Sequence, residues 1–227
     1  MLDITTVLLD IDGTLLDFEA NQNYALKTAF KNHDLTLTDE VRELYNTINH
    51  KLWKDYELGL IDRDTVLYTR FVTLFETLGI KEDGVSFEKE YQSLLSEEAY
   101  LIDGAMELVE YLHKKYDLYI VTNGVATTQW KRLQKSGLDQ YMKDVFISES
   151  LGYQKPQIEF FEECFKKTGK LDLKKTIIVG DTLSSDILGG NNAQILTCWY
   201  NPKSLINDLN AEVTIEVKSL LELYNYL

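Results

Sequence analysis

The sequence predicts an α/β protein in which a small all-helical segment is inserted into a doubly wound parallel sheet core. Short apolar runs rich in β-forming residues recur along the chain, and amphipathic helical patterns separate them after the first run. This alternation is typical of parallel sheets covered by helices on both faces. The segment 17–96 differs, because it has long helical patterns and no convincing strand. We therefore assign residues 1–16 and 97–227 to a Rossmann-like core and residues 17–96 to a helical cap.

The apolar runs define the predicted strands of the core. They are Thr5–Leu9, Leu118–Val121, Val145–Ile147, Thr176–Val179 and Ile195–Trp199. Helical patterns such as 104–114 and 127–136 lie between these runs, and the second pattern stops before Gly137. Ligands of such sheets bind beyond the carboxyl ends of the strands, at a point where the strand order reverses. Functional residues are therefore expected directly after the apolar runs.

The inserted segment is predicted to be helical throughout. Its helical patterns cover approximately residues 19–31, 38–57, 62–78 and 86–97. Gly59 and Gly79 are placed as helix ends, because glycine readily adopts the left-handed conformation that follows many helices. Asp62 has a side chain suited to an N-cap. Because the segment begins only a few residues after Asp12, we expect it to cover the functional end of the sheet.

Composition and charge narrow the possible partners. The 227 residues include 23 basic and 37 acidic side chains, which gives a formal net charge of −14. A nucleic acid polymer requires a clustered basic surface, so we expect none as a partner. The amino terminus has no leader pattern and no apolar segment has the length of a membrane span, so we expect a cytoplasmic protein without a membrane partner. Cys164 and Cys198 are expected to be reduced, buried thiols.

The stretch VLLDIDGTLLDF, residues 7–18, places two carboxylates at the end of the first predicted strand. Residues i and i+2 of a strand face the same way, so Asp10 and Asp12 can lie on one side. Gly13 then permits a sharp turn away from the sheet. Two like charges held this close require a cation or a shared proton. A solvated turn at a strand end is the alternative interpretation of this stretch.

Further polar groups follow the later predicted strands in a fixed order. They are Thr122-Asn123-Gly124 after the run LYIV, Lys155 in the loop beyond the run 145–147, Asp181 after the run TIIV, and Asp186 five residues later. Each feature alone is common in loops. Together, in this order, they bring a hydroxyl, an ammonium and carboxylates to one edge of the sheet, which structural requirements alone do not explain.

This ordered set resembles the haloacid dehalogenase-like (HAD) phosphatase superfamily, and the resemblance covers the whole chain. It implies that Asp10 is the nucleophile that attacks phosphorus and becomes an aspartyl phosphate. It also implies that Asp12 protonates the leaving alcohol and later deprotonates the hydrolytic water. Thr122 is expected to donate a hydrogen bond to a phosphoryl oxygen, and Lys155 to neutralise charge on the nucleophile and the phosphate.

The same resemblance implies a magnesium site and a substrate-binding turn. Mg²⁺ is expected to be held by Asp10, Asp181 and the backbone carbonyl of Asp12, with Asp186 as an outer or secondary ligand. Asn123 and Gly124 are expected to contribute to substrate binding.

Longer strings look like the pyrimidine 5′-nucleotidase subfamily. These are TLLDFEANQNYAL, YELGLIDRDTVLYTRF with LFETLGI, IVTNG, FISESLGYQKPQIEFF, and VGDTLSSDILGGNNA with TCWYNP. This likeness implies a phosphatase for nucleoside 5′-monophosphates, such as dUMP, dTMP, UMP and modified analogues. The alternative is a phosphatase or mutase of another small ester, such as phosphoglycolate or a sugar phosphate. A non-catalytic module that kept the fold is the alternative from outside the enzymes.

The helical segment is expected to set specificity, since the core handles only the phosphoryl group. Phe18, Trp53, Tyr56 and Arg70 are candidates to contact the rest of the substrate, because aromatic rings stack on a base. Core packing is the competing interpretation for each aromatic residue, and a surface ion pair for Arg70. The protein is expected to act on a small molecule as a monomer or weak dimer.

Overall fold

The computed structural model describes residues 2–169 and 171–227, and within them six strands form one parallel sheet in the order β3-β2-β1-β4-β5-β6. The strands are β1 (Thr6–Leu9), β2 (Asp117–Thr122), β3 (Asp144–Ile147), β4 (Thr176–Gly180), β5 (Leu196–Tyr200) and β6 (Ile215–Val217). The chain enters the sheet at its centre, builds outward through β2 and β3, and then returns to the other side of β1. The strand order therefore reverses beside β1, as in a doubly wound sheet.

Helices connect the strands and form the inserted segment. They are α1 (Phe18–Asn32), α2 (Asp39–Glu57), α3 (Arg63–Leu78), α4 (Gly84–Leu95), α5 (Ala105–Leu112), α6 (Ala126–Ser136), α7 (Ser148–Leu151), α8 (Ile158–Thr168) and α9 (Leu188–Asn192). A π-helical segment, Leu183–Ile187, directly precedes α9. None of the helices in the described residues combines the length and the apolar character needed to cross a bilayer.

The sheet is buried on both faces, because successive side chains of each strand point in opposite directions. Val7 and Leu9 of β1 pack in a cluster with residues of α5, whereas Leu8 packs in a second cluster with residues of α8. All three side chains are fully buried. This continuous burial explains why the central strands read as unbroken apolar runs in the sequence.

The chain divides into two compact units, residues 1–19 with 99–227 and residues 20–98. The second unit is helical, and its core contains Phe30, Phe71, Phe75 and Phe87. Its helix ends follow local rules. The Asp62 carboxylate accepts a hydrogen bond from the Thr65 amide at the start of α3, and Gly79 ends α3 with a φ of 66°.

The predicted fold class is confirmed, and every predicted strand has a counterpart among β1 to β5. β6 was not predicted, because it has only three residues and its burial alternates, so the apolar signal is weak. α4 starts two residues before the predicted 86, since the Asp83 carboxylate caps the Val85 amide and Gly84 packs closely on the backbone of Val72.

Arg70 is not a surface ion-pair partner as one sequence interpretation had it, because its side chain is 1% exposed. Its guanidinium donates two hydrogen bonds to the Glu88 carboxylate, at 2.7 and 2.6 Å, and one to Asn49 at 2.9 Å. It also lies 4.8 Å from the ring centroid of Tyr91. These contacts use Arg70 inside the helical unit. Tyr56 is buried as well, while Trp53 and Phe18 are half-buried.

Candidate active site

The polar residues predicted from the sequence lie at the carboxyl ends of the central strands. Asp10 directly follows β1 and continues its ladder, since its amide donates to the Val179 carbonyl at 3.0 Å. Thr122 is the last residue of β2, and Asp181 directly follows β4. Lys155 lies in the loop between α7 and α8. The parallel register therefore gathers these residues beside the position where the strand order reverses.

Lys155 joins two of the carboxylates. Its ammonium donates hydrogen bonds to Asp10 Oδ1 at 2.7 Å, to Asp186 Oδ1 at 2.6 Å and to the Val121 carbonyl at 2.9 Å. All three donor positions of the ammonium are thus used. The other oxygen of Asp186 accepts from the Thr182 amide at 3.1 Å, which fixes that carboxylate in the π-helical segment.

Asp10, Asp181 and Asp186 form a carboxylate cluster in which one oxygen of each lies within 4.8 Å of the others. One ammonium cannot balance three carboxylates in a buried position. Carboxylate oxygens are the ligands that Mg²⁺ prefers, and the ion keeps several waters. The cluster therefore fits a divalent cation with all-oxygen coordination.

Burial and neighbouring charges shift the pKa values of Asp10, Asp181 and Lys155. Burial raises the pKa of Asp10 well above its usual value, and the neighbouring carboxylates of Asp186 and Asp181 raise it further against the opposing effect of Lys155. Burial, followed by the charge of Asp186, raises the pKa of Asp181 to about 7. Burial would lower the pKa of Lys155, but the charges of Asp10 and Asp186 outweigh it and raise that pKa. A divalent cation would favour the charged form of each carboxylate.

Glycines leave room for the cluster. Gly13 has a φ of 86°, and a Cβ there would lie 2.4 Å from Asp181 Oδ2. A Cβ on Gly180 would lie 2.2 Å from Asp186 Cγ. Each position requires glycine because a carboxylate of the cluster packs against its Cα.

Asp12 is not part of this cluster, and its carboxylate accepts hydrogen bonds from two side chains of α6. Gln129 Nε2 donates to Asp12 Oδ2 at 2.6 Å, and Arg132 donates to Asp12 Oδ1. Neither residue was predicted as part of the site. Gln129 and Arg132 lie three residues apart on a helix, shortly after the Thr122-Asn123-Gly124 turn, and both are buried in the structure. Their spacing in the sequence does not distinguish them from the polar residues of a solvated helix face.

The turn after β2 is used to fix the neighbouring loop. The side-chain amide of Asn123 donates to the Lys155 carbonyl and accepts from the Lys155 amide, both at 2.9 Å. The Gly124 amide donates to Thr122 Oγ1 at 3.1 Å. The structure thus gives Asn123 a role in holding Lys155, and its contact with substrate stays a prediction, as does that of Gly124.

Comparison with known proteins gives a consistent picture. A family model described as haloacid dehalogenase-like hydrolase matches residues 4–194. The HAD-hydrolase YfnB of Bacillus subtilis is 43% identical over 222 residues, which cover 98% of this chain and 94% of that protein. The pyrimidine 5′-nucleotidase PynA of Streptococcus pneumoniae is 40% identical, with 97% and 94% covered. The pyrimidine 5′-nucleotidase YjjG of Escherichia coli is 31% identical, with 97% and 96% covered.

A solved structure extends the similarity to three dimensions. The crystal structure of Bacillus subtilis YfnB superposes with a TM-score of 0.94 at 42% identity, covering 99% of this chain and 98% of that one. It is described as bound to magnesium and as revealing interdomain movement.

Proposed function

The chain belongs to the haloacid dehalogenase-like hydrolase family. We propose that it is a magnesium-dependent phosphatase of nucleoside 5′-monophosphates. Its proposed substrates are pyrimidine nucleotides such as dUMP, dTMP and UMP and their modified analogues. The family resemblance read from the sequence is confirmed. The observation that carries the proposal is the Lys155 ammonium held between the buried carboxylates of Asp10 and Asp186. The names of the relatives PynA and YjjG support the nucleotide as substrate.

The first half-reaction begins at Asp10. Its carboxylate oxygen attacks phosphorus, the bond from phosphorus to the ester oxygen breaks, and an aspartyl phosphate forms. Lys155 screens the repulsion between the anionic nucleophile and the phosphate, because its ammonium already lies 2.7 Å from Asp10 Oδ1. Thr122 donates its hydroxyl proton to a phosphoryl oxygen as a hydrogen bond. Asp10, Asp181 and the Asp12 carbonyl would hold Mg²⁺, with Asp186 as an outer or secondary ligand, and the bound ion would neutralise charge and orient the phosphoryl group.

Asp12 handles the proton in both half-reactions. As an acid it delivers a proton to the departing ester oxygen, which leaves as an alcohol. As a base it then takes a proton from the water that attacks the phosphorus of the aspartyl phosphate. That attack breaks the bond to Asp10 and returns inorganic phosphate. One ester and one water are consumed, and both aspartates return to their starting forms.

With this function we propose a cytoplasmic protein that acts as a monomer or weak dimer and has no nucleic acid polymer as a partner. The excess of acidic side chains, with a net charge of −14, supports the last point, since a polymer of phosphates would be repelled. A single phosphate ester is compatible with this charge, because Lys155 and a bound cation reverse the field locally.

A panel of phosphate esters tests the proposal. We expect turnover of dUMP, dTMP and UMP with MgCl₂ and loss of turnover with EDTA, measured as release of inorganic phosphate. A preference for phosphoglycolate or hexose phosphates over the nucleotides would move the substrate to the alternative drawn from the sequence. Absence of turnover with every ester, in a folded protein supplied with MgCl₂, would reject the phosphatase.

A further inference from the structure

We propose that Gln129 and Arg132 of α6 are positioning residues that fix the Asp12 carboxylate and the Thr122 hydroxyl for phosphoryl transfer. This inference rests on the proposed function, because it assigns the reaction steps through which the two residues act.

The contacts to Asp12 are its first support. Gln129 and Arg132 each donate to a different oxygen of the Asp12 carboxylate. The side chain of Asp12 is 27% exposed, whereas that of Arg132 is 1% exposed. The two buried side chains therefore fix the position of the Asp12 carboxylate, while the carboxylate itself stays accessible to substrate for proton transfer.

The orientation of the Gln129 amide is determined by its neighbours. Arg132 donates to Gln129 Oε1 at 3.0 Å, so this atom is the carbonyl oxygen and Nε2 is the donor. The two hydrogens of Nε2 then serve two acceptors, Asp12 Oδ2 at 2.6 Å and Thr122 Oγ1 at 2.8 Å. A single amide therefore couples the position of the acid–base residue to that of the predicted phosphate-binding hydroxyl.

This arrangement also directs the hydroxyl of Thr122. Its oxygen accepts from Gln129 Nε2 and from the Gly124 amide. A hydroxyl has two acceptor sites and one proton, so both acceptor sites are occupied and the proton remains free to be donated. Thr122 is thereby set as a hydrogen-bond donor, which is the role needed toward an anionic phosphoryl oxygen.

A purely structural role does not account for this geometry. A Cβ on Gly124 would lie 2.4 Å from Gln129 Nε2, so the turn must carry glycine for the amide to reach its two acceptors. Arg132 is buried, yet within the described residues its Nε and Nη2 have no hydrogen-bond partner. Buried donors without partners are unfavourable, so Arg132 is a poor choice for stability alone. Its Nη1 is the group that donates to Asp12 and Gln129, and these are the contacts through which the proposed positioning acts.

The test compares two kinds of leaving group. Arg132→Met removes a direct contact to Asp12 but leaves Gln129, which still contacts Thr122 through Nε2, so proton delivery should suffer most. We expect kcat/KM to fall about 10–100-fold for dUMP, whose alkoxide requires a proton, and less than about fivefold for p-nitrophenyl phosphate, whose leaving group does not. Gln129→Met should lower kcat/KM for both substrates, since it also releases Thr122. Lys131→Met and Gln134→Met, at exposed positions of the same helix, should leave kcat/KM within about twofold.

A double-mutant cycle separates positioning from general damage. In an Asp12→Asn background, Arg132→Met should cost less than about threefold in kcat/KM, because the residue acts through a carboxylate that is already absent. If Arg132→Met does not fold, Arg132→Lys takes its place. Because lysine keeps one donor, its loss in kcat/KM for dUMP should be smaller than the loss expected for Arg132→Met, yet larger than its own loss for p-nitrophenyl phosphate. Equal losses for both leaving groups, or full additivity in the cycle, would overturn the inference. Inactivity of the parent protein toward all esters would instead reject the proposed function itself.

Discussion

Lys155 and Asp10 form a buried ion pair, with Nζ 2.7 Å from Oδ1 and side chains that are 2% and 9% exposed. The same ammonium lies 2.6 Å from Asp186, whose side chain is 1% exposed. One positive charge therefore serves two carboxylates, and Asp181 adds a third within the same cluster. Charges buried in this way are stable only while their partners remain, which makes Lys155 important for folding as well as for chemistry.

Replacing Lys155 by methionine should destabilise the metal-free protein by about 3–5 kcal/mol, because two buried carboxylates lose their counter-charge. Urea unfolding in the presence of EDTA measures this change. Lys174→Met is the matched control, since Lys174 is exposed, and it should change the free energy of unfolding by less than about 0.5 kcal/mol. A loss below about 1 kcal/mol for Lys155→Met would show that the pair is not held as the structure describes it.

Asp10→Asn should lower kcat by at least about 10³-fold, because the amide cannot form the acyl phosphate. Phosphate release from dUMP measures the loss, and acid quenching should trap no phosphorylated protein. Asp208→Asn, at an exposed position, provides the control and should leave kcat unchanged. Turnover by Asp10→Asn equal to that of the parent protein would mean that another residue is the nucleophile.

Gly13→Ala and Gly79→Ala separate backbone strain from contact with the carboxylate cluster. Both glycines have positive φ, 86° and 66°, so backbone strain alone should cost about 1–2 kcal/mol of stability in each variant. A Cβ at Gly79 meets nothing within 4 Å, whereas one at Gly13 would lie 2.4 Å from Asp181 Oδ2. Only Gly13→Ala should therefore weaken Mg²⁺ activation, measured as a higher Mg²⁺ concentration for half-maximal turnover. Equal Mg²⁺ dependence of the two variants would contradict the placement of Asp181.

The contrast between Asp10 and Gln129 shows how far the sequence predicts this site. Asp10 follows an apolar run that is long enough to identify as a strand, and parallel pairing then brings its neighbours to the same edge of the sheet. Gln129 lies within a helix whose polar residues resemble a solvated face, and only its three-dimensional contacts reveal it as buried. Arg70 is the opposite case to Gln129. The sequence made it a candidate for substrate contact, but in the structure it pairs with Glu88 inside the helical unit. The spacing of residues along the sequence does not indicate which side chains from different helices and strands contact each other, so these contacts could not be predicted.

Mg²⁺ should stabilise the protein more strongly as the pH rises, because Asp181 has a pKa raised to about 7 by burial and by Asp186. A group whose pKa is higher in the folded protein than in the unfolded chain contributes to the free energy of unfolding. This contribution is complete at a pH below the pKa of the unfolded chain, and it is lost as the pH rises through the pKa of the folded protein. The metal-free protein should thus lose stability between about pH 4 and pH 7 on account of Asp181. Mg²⁺ binds the ionised carboxylate, so protons compete with the ion below about pH 7.

The rise in Tm on adding MgCl₂ should accordingly be small near pH 5 and large near pH 8, as measured by thermal unfolding at matched ionic strength with NaCl as the control salt. Asp181→Asn removes both the titrating group and a predicted ligand. This variant should therefore lose most of the Mg²⁺-dependent rise in Tm and most of its change with pH. An equal rise at both pH values would mean that the ion does not bind at Asp181. A rise that persists in Asp181→Asn would place the ion elsewhere.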